Sequence, residues 1–180
     1  MLNVWGVHGA HACGLSVRDR RPDCTRTVME GRVVEVKSRR DVLLLKRLIA
    51  KYHSQGVPPG GGAGRHPRFF VYAVEDGGTE FWVAAAWLHD GTPFRFLAQR
   101  LMIPVENAYF IRRICRLAPG DWLIPFLNAL AERLSAEGKE ALWSLGLPGH
   151  SNAVYKRAGF VEVGRTTRSG VPVFVRWLRR

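Results

Sequence analysis

Near the C-terminal end, the stretch GHSNAVYKRAGF (Gly149 to Phe160) sets His150 and Ser151 ahead of a short helical run that carries Tyr155 and stops at Gly159-Phe160. A phenol in the first turns of such a helix can protonate a leaving thiolate or hydrogen-bond a base, whereas a core tyrosine only satisfies its own hydroxyl. His150 and Ser151 suggest a His/Ser nucleophile pair, but adjacent side chains seldom point at one another, so the pairing is the weaker reading. His53, in KYHSQG, ends an amphipathic run just before a Pro-Gly loop. There it acts either as a base or substrate-orienting donor at a cleft, or as a partner of the helix dipole.

A third candidate is CRLAPGDWLIPFL, a strand, a short loop and a helix start. Unpaired backbone N–H groups and the helix dipole converge at such a place, so the region from Gly120 to Leu123, with Arg116 nearby, is a candidate anion site for a cofactor pyrophosphate. Arg116, Leu117, Gly120, Asp121 and Trp122 are the residues it would use. An ordinary strand-to-helix turn is the alternative, since there is only one Gly and the Asp121 carboxylate opposes an anion. His8, His11, Cys13 and Cys24 carry donors that suit tetrahedral zinc, but their H-x2-H-x-C-x10-C spacing matches no metal motif. They are read as incidental donors in a leader, and no metal site is expected. Trp87, Phe94, Phe96 and Trp122 lie near arginines and could stack on unstacked bases, although most aromatics in a small domain are core.

These residues need a scaffold, and 180 residues with 47% hydrophobic content are enough for one substantial core. No apolar run approaches a membrane span, no charged-then-apolar leader opens the chain, and three scattered cysteines fit a reducing compartment; a soluble, cytoplasmic protein is expected. The net charge of +12 attracts polyanions at long range. Residues 1–31 hold only +1 of it, so the excess belongs to the folded part. Arg112, Arg113, Lys156, Arg157, Arg165 and Arg168 are the candidate nucleic-acid contacts, and 22 arginines against five lysines suit bidentate phosphate recognition. An arginine-rich solvated surface is the bland alternative.

Hydrophobic patterning divides the chain into an extension, 1–31, and a domain, 32–180. A strand is expected from about Arg32 to Lys37, followed by a helix with Ser38 as N-cap, a core face of Val42, Leu45, Leu48, Ile49 and Tyr52, and Gly56 as its stop. After the loop VPPGGGAGRHP come RFFVYAVE and EFWVAAAWLH, a hairpin closed by DGGT. DGTPFRFLAQRLMIPVEN is irregular, and Ala108 to Leu117 is a strand. A helix then follows, capped by Asp121, with Pro125 in its first turn, Phe126, Leu127, Leu130 and Leu134 inward, and Gly138 as its end. EALWSLGL is a buried strand, the Tyr155 segment a short helix, and FVEVGRTT and VPVFVRWLRR are the last strands. The fold class is α+β around one mixed central sheet.

AYFIRRICRLAP, the helix from Asp121, ALWSLGL and NAVYKRAGFVEVGRT together resemble the second half of the GCN5-related N-acetyltransferase (GNAT) fold. Tyr155 to Phe160 is similar to that superfamily's closing Tyr-x-x-x-Gly-Phe signature. Within it, His53 to Gly56, Arg116-Leu117, and Gly149-His150 ahead of Tyr155 resemble the phage Mom DNA-modification family. The likeness runs from about Arg39 to Thr166. It implies a splayed sheet of the acyl-CoA acyltransferase kind, with acetyl-CoA or a related acyl-CoA along strand 108–117. It also implies an acceptor on the His53 side, adenine in DNA as in Mom-like anti-restriction proteins, and Tyr155 and His53 opening onto one crevice. The superfamily's Arg/Gln-x-x-Gly-x-Gly/Ala loop is replaced here by APGDWLIP, and no acidic residue stands shortly before Gly149-His150. A transferase acting on a small amine or protein, and a non-catalytic nucleic-acid-binding protein on the same fold, are the other readings.

Overall fold

A computed structural model describes residues 30–56, 66–147 and 149–178. His8, His11, Cys13 and Cys24, and nearly all of the predicted extension, lie outside the described residues. The first strand begins at Gly31, inside the limit set for that extension.

Ser38 opens the first helix as its sequence suggests: its Oγ accepts the Asp41 N–H at 3.1 Å. β1 (Gly31–Glu35) precedes this helix, α1 (Arg39–Tyr52), in which Leu45 and Ile49 are buried while Tyr52 is exposed rather than part of the core face. β2 (Arg68–Asp76) and β3 (Thr79–Asp90) form the expected hairpin, because Gly77 and Gly78 take the positive φ angles of 57° and 76° that its turn requires.

The stretch read as irregular contains a six-residue helix, α2 (Arg95–Arg100). Local signals are weak there: Phe94 stands at the N-cap without a side-chain cap, and burial of Ala98 and Ile103 under the sheet supplies the stability that propensity does not. β4 (Ala108–Arg116) and α3 (Leu123–Ala136) follow. Asp121 does not cap α3. Trp122 occupies that position without a side-chain capping bond, and the Asp121 carboxylate lies 3.5 Å from Arg157. β5 (Ala141–Leu145), α4 (Ala153–Arg157), β6 (Val161–Arg165) and β7 (Pro172–Trp177) complete the chain.

One seven-stranded sheet results, in the order β1-β2-β3-β4-β5-β7-β6, with β4 and β5 parallel and the other neighbours antiparallel. Helices cover both faces. On one, Phe126, Leu127, Leu130 and Leu134 of α3 and Ala158 after α4 pack on Phe70, Leu88, Ile111 and Phe174. On the other, α1 packs on Phe69, Val71, Trp87 and Cys115, while the α2 segment packs on Phe110, Trp143, Val173 and Val175. Among the described residues, no helix is long and apolar enough to cross a membrane.

Candidate functional site

Two irregularities of β4 create the site. The strand pairs with β5 only from Ala108–Ile111 to Ala141–Ser144, and then runs on through Arg112–Arg116 without that neighbour. Beyond Leu145 the chain stays with β7, the Gly146 N–H donating to the Pro172 carbonyl. β4 and β5 therefore part after Ile111 and Ser144, and a β4 backbone edge of roughly 15 Å is left without that partner. The second irregularity is a bulge. Trp87 pairs with Arg113 and Leu88 with Ile111, so Arg112 is an extra residue on β4 at the point of opening.

Tyr155 reaches this point from the α3 face. Its ring stacks on Phe174 at 5.5 Å and meets Phe160 edge-on at 5.4 Å. Its hydroxyl lies beside the Ser144 side chain, and Ser144 is paired with Ile111, the last pair before the strands part. Burial raises the phenol pKa, with the nearby Ser144 hydroxyl opposing. Ser144 passed unnoticed in the sequence because only the β4–β5 pairing shows it to be the hinge residue.

His53 stands on the other face, at the C-terminal cap of α1. Burial and then the Arg113 charge lower its pKa. The Arg113 Nε donates to the Gly56 carbonyl at 2.9 Å, tying β4 to the end of α1. The Gln55 N–H donates to His53 Nδ1 at 3.1 Å, so the neutral ring carries its proton on Nε2 and presents a donor outward. Tyr155 and His53 thus occupy opposite faces of the sheet, which corrects the expectation that both open onto one crevice.

His150 and Ser151 are exposed on the turn between β5 and α4, and their side chains make no hydrogen bond among the described residues. They are not gathered with Tyr155. Asn152 organises this turn: its side chain accepts from the Leu147 N–H at 2.8 Å and donates to the His150 carbonyl at 3.0 Å. At the start of α3, the Trp122 Nε1 bonds to the Pro119 carbonyl at 2.7 Å, while an Arg116 nitrogen lies 3.4 Å from the Gly120 carbonyl. The Leu117 N–H is spent on the Val83 carbonyl. The amides of Leu123 and Ile124 belong to the first turn and have no intrahelical acceptor.

The candidate nucleic-acid contacts do not form one patch. Lys156, Arg157, Arg165 and Arg168 are exposed around α4, β6 and the turn after it, Arg157 and Arg165 being paired with Asp121 and Glu162. Arg112 and Arg113 are half-buried in the sheet instead. Of the aromatics named for stacking, Trp87 is buried and Phe94 packs on Phe110 and Trp143, whereas Phe96 is 74% exposed. His89 was missed by the sequence reading, although the alternation Ala85, Trp87, His89 in AAAWLHD is the signal that places it on the α1 face.

No protein-family model matches this chain. It is 51% identical over 148 residues to uncharacterized protein 154 of Sulfolobus islandicus rod-shaped virus 1, across 82% of this chain and 96% of that protein. Among solved structures it is similar to an Escherichia coli N-acetyltransferase that acts on the alanine of a ribosomal protein, with TM-score 0.56 and 13% identity over 84% of this chain and 96% of that one. The aminoglycoside acetyltransferase AAC(6')-Ib, solved with paromomycin and acetyl-CoA, superposes with TM-score 0.55 and 14% identity over 81% and 93% of the two chains. At such identities the likeness is one of fold, and the fold is that of the GNAT acyl-CoA N-acyltransferases.

Proposed function

The chain belongs to the family of uncharacterized protein 154 of Sulfolobus islandicus rod-shaped virus 1, and for it we propose transfer of an acyl group from an acyl-CoA to an amino group, the acceptor being a base amino group in DNA. The observation that carries this reading is the parting of β4 from β5 with the Tyr155 hydroxyl at the point of divergence. The free edge of Arg112–Arg116 offers backbone donors and acceptors to an extended, amide-bearing chain such as pantetheine, as to an added strand.

The first turn of α3, with Arg116 and Arg157 beside it, suits the phosphates. Gly120 keeps that approach narrow, since a Cβ there would lie 2.5 Å from the Trp122 ring. When bound, acyl-CoA supplies a thioester whose transfer forms a C–N bond and releases a thiolate. Tyr155 is suited to meet that thiolate: with its pKa raised it stays protonated at neutral pH and gives up its proton as the C–S bond breaks. His53, a donor at Nε2, orients the acceptor rather than deprotonating it, and the amine proton leaves to solvent.

DNA as acceptor is supported by the +12 charge and by the likeness of His53–Gly56, Arg116-Leu117 and Gly149-His150 with Tyr155 to the Mom family. A duplex base would have to be flipped out to reach the opening. Mass spectrometry of nucleosides from plasmid DNA of cells expressing the protein tests this, beside a Tyr155→Phe variant. A mass-shifted deoxyadenosine that depends on Tyr155 is expected. Unmodified DNA in both samples, with acyl transfer to a small amine in vitro, would move the acceptor elsewhere. The Asp121 carboxylate at the start of α3 favours a second reading, a nucleic-acid-binding protein that takes no acyl-CoA; absence of CoA binding in calorimetry would select it.

A further inference from the structure

The α1 face of the sheet carries a group of cationic side chains whose charge the chemistry above leaves unused. Arg112 and Arg113 are neighbours at the bulge, both half-buried, and the Arg112 carbonyl accepts from an Arg113 nitrogen at 2.8 Å. Trp87, paired with Arg113, and His89, two residues on, share this face, with their rings 5.9 Å apart. Lys46 of α1 lies over the Trp87 ring at 5.3 Å. Among the described residues, no carboxylate pairs with Lys46, Arg112 or Arg113. His89 is 5% exposed and Trp87 1%, yet His89 Nε2 and Trp87 Nε1 have no hydrogen-bond partner among the described residues.

Unpartnered buried polar atoms are uncommon, and like charges brought together out of water repel. Burial and Arg112 together lower the Arg113 pKa, which registers that cost. A group of cations with no carboxylate among them is complementary to an oxyanion. We propose that Lys46, Arg112 and Arg113, beside the Trp87 and His89 rings, form a phosphate-binding subsite for the acceptor. Lys46 and the two arginines supply the charge, and the buried Trp87 ring lies beneath Lys46.

The phosphate is assigned to the acceptor rather than to CoA because the CoA phosphates are placed at α3, on the opposite face of the sheet. The assignment rests on the transferase reading, but occupancy of the subsite does not require transfer. A nucleotide acceptor, carrying a phosphate next to its base, fits this chemistry where an uncharged or cationic amine does not.

Calorimetric titration of the full chain with 2′-deoxyadenosine 5′-phosphate, with deoxyadenosine and with CoA tests the assignment. It compares the wild type, Arg112→Gln, and Arg40→Gln as a surface control. The phosphorylated nucleoside is expected to bind the wild type and the control at least about tenfold more tightly than deoxyadenosine, as a charge-assisted contact gives. Arg112→Gln should erase that preference and leave CoA affinity unchanged. Equal binding of nucleotide and nucleoside to the wild type overturns the subsite. Loss of CoA affinity in Arg112→Gln instead reassigns it to the cofactor and overturns it equally. If CoA binds to neither protein while the nucleotide preference persists, the transferase reading fails and the subsite stands. An unchanged melting temperature for Arg112→Gln separates these outcomes from misfolding.

Discussion

Where β4 and β5 are still paired, Arg68 lies over the rings of Phe70 and Tyr109 and is held by Glu35 and Glu137. Arg133 adds a second guanidinium to the same two carboxylates. Where the strands have parted, Arg112 and Arg113 are also half-buried, yet among the described residues neither meets a carboxylate. One end uses arginine to lock β1, β2 and α3 together; the other leaves arginine charge uncompensated beside a gap. Charge neutralised internally serves the fold, whereas partly desolvated charge without a partner is a cost that a ligand can repay.

Several substitutions would break or sharpen this contrast. The largest effect is expected at the open end, from Tyr155→Phe: kcat for acyl transfer should fall about 10²- to 10³-fold with the melting temperature held, the usual loss when a proton donor is removed. Steady-state kinetics beside a thermal melt checks it, and an unchanged kcat would remove Tyr155 from the chemistry. At the closed end, Arg68→Ala should destabilise by roughly 2–3 kcal/mol, below the full value for breaking a buried pair because Glu137 keeps access to water. Urea denaturation measures it.

The same network fixes a pH dependence. The hydrogen bond from Arg68 is the first cause that lowers the pKa of both Glu35 and Glu137. Their contribution is therefore fully present above the unfolded carboxylate range and is lost as pH falls through the lowered folded values. Melting temperatures between about pH 6 and pH 3 should drop more steeply for the wild type than for Arg68→Ala. Parallel curves would mean that the carboxylates are not coupled to Arg68.

A smaller loss is expected from Gly120→Ala. Its φ of 125° disfavours any side chain and its new Cβ would press on the Trp122 ring, so about 1–2 kcal/mol of stability should go. CoA affinity should weaken with it if the start of α3 holds the phosphates. The smallest change in stability belongs to Arg112→Gln, within about 0.5 kcal/mol in urea, because no ion pair among the described residues is removed. A marked loss there would show that Arg112 supports the fold as Arg68 does.

The local chemistry of the chain settled much of this arrangement. The Ser38 cap, the Gly77-Gly78 turn and the apolar spacing of α3 are decided within a few residues, and each element formed where that chemistry pointed. Six-residue α2 escaped notice because its stability comes from burial under the sheet. Tyr155 could be singled out in sequence as a residue of interest, but not its neighbour Ser144. His89 and Lys46 drew no attention, since a lone histidine in a strand and a lysine on a helix are ordinary.

By itself, then, the sequence determined every element but α2, their order and the excess of positive charge, since propensity, capping and composition are local or additive properties. Only the tertiary structure decided where β4 leaves β5, which face each histidine takes, and which arginines find a carboxylate. Strand pairing and burial bring together residues dozens of positions apart, and no local pattern records those meetings.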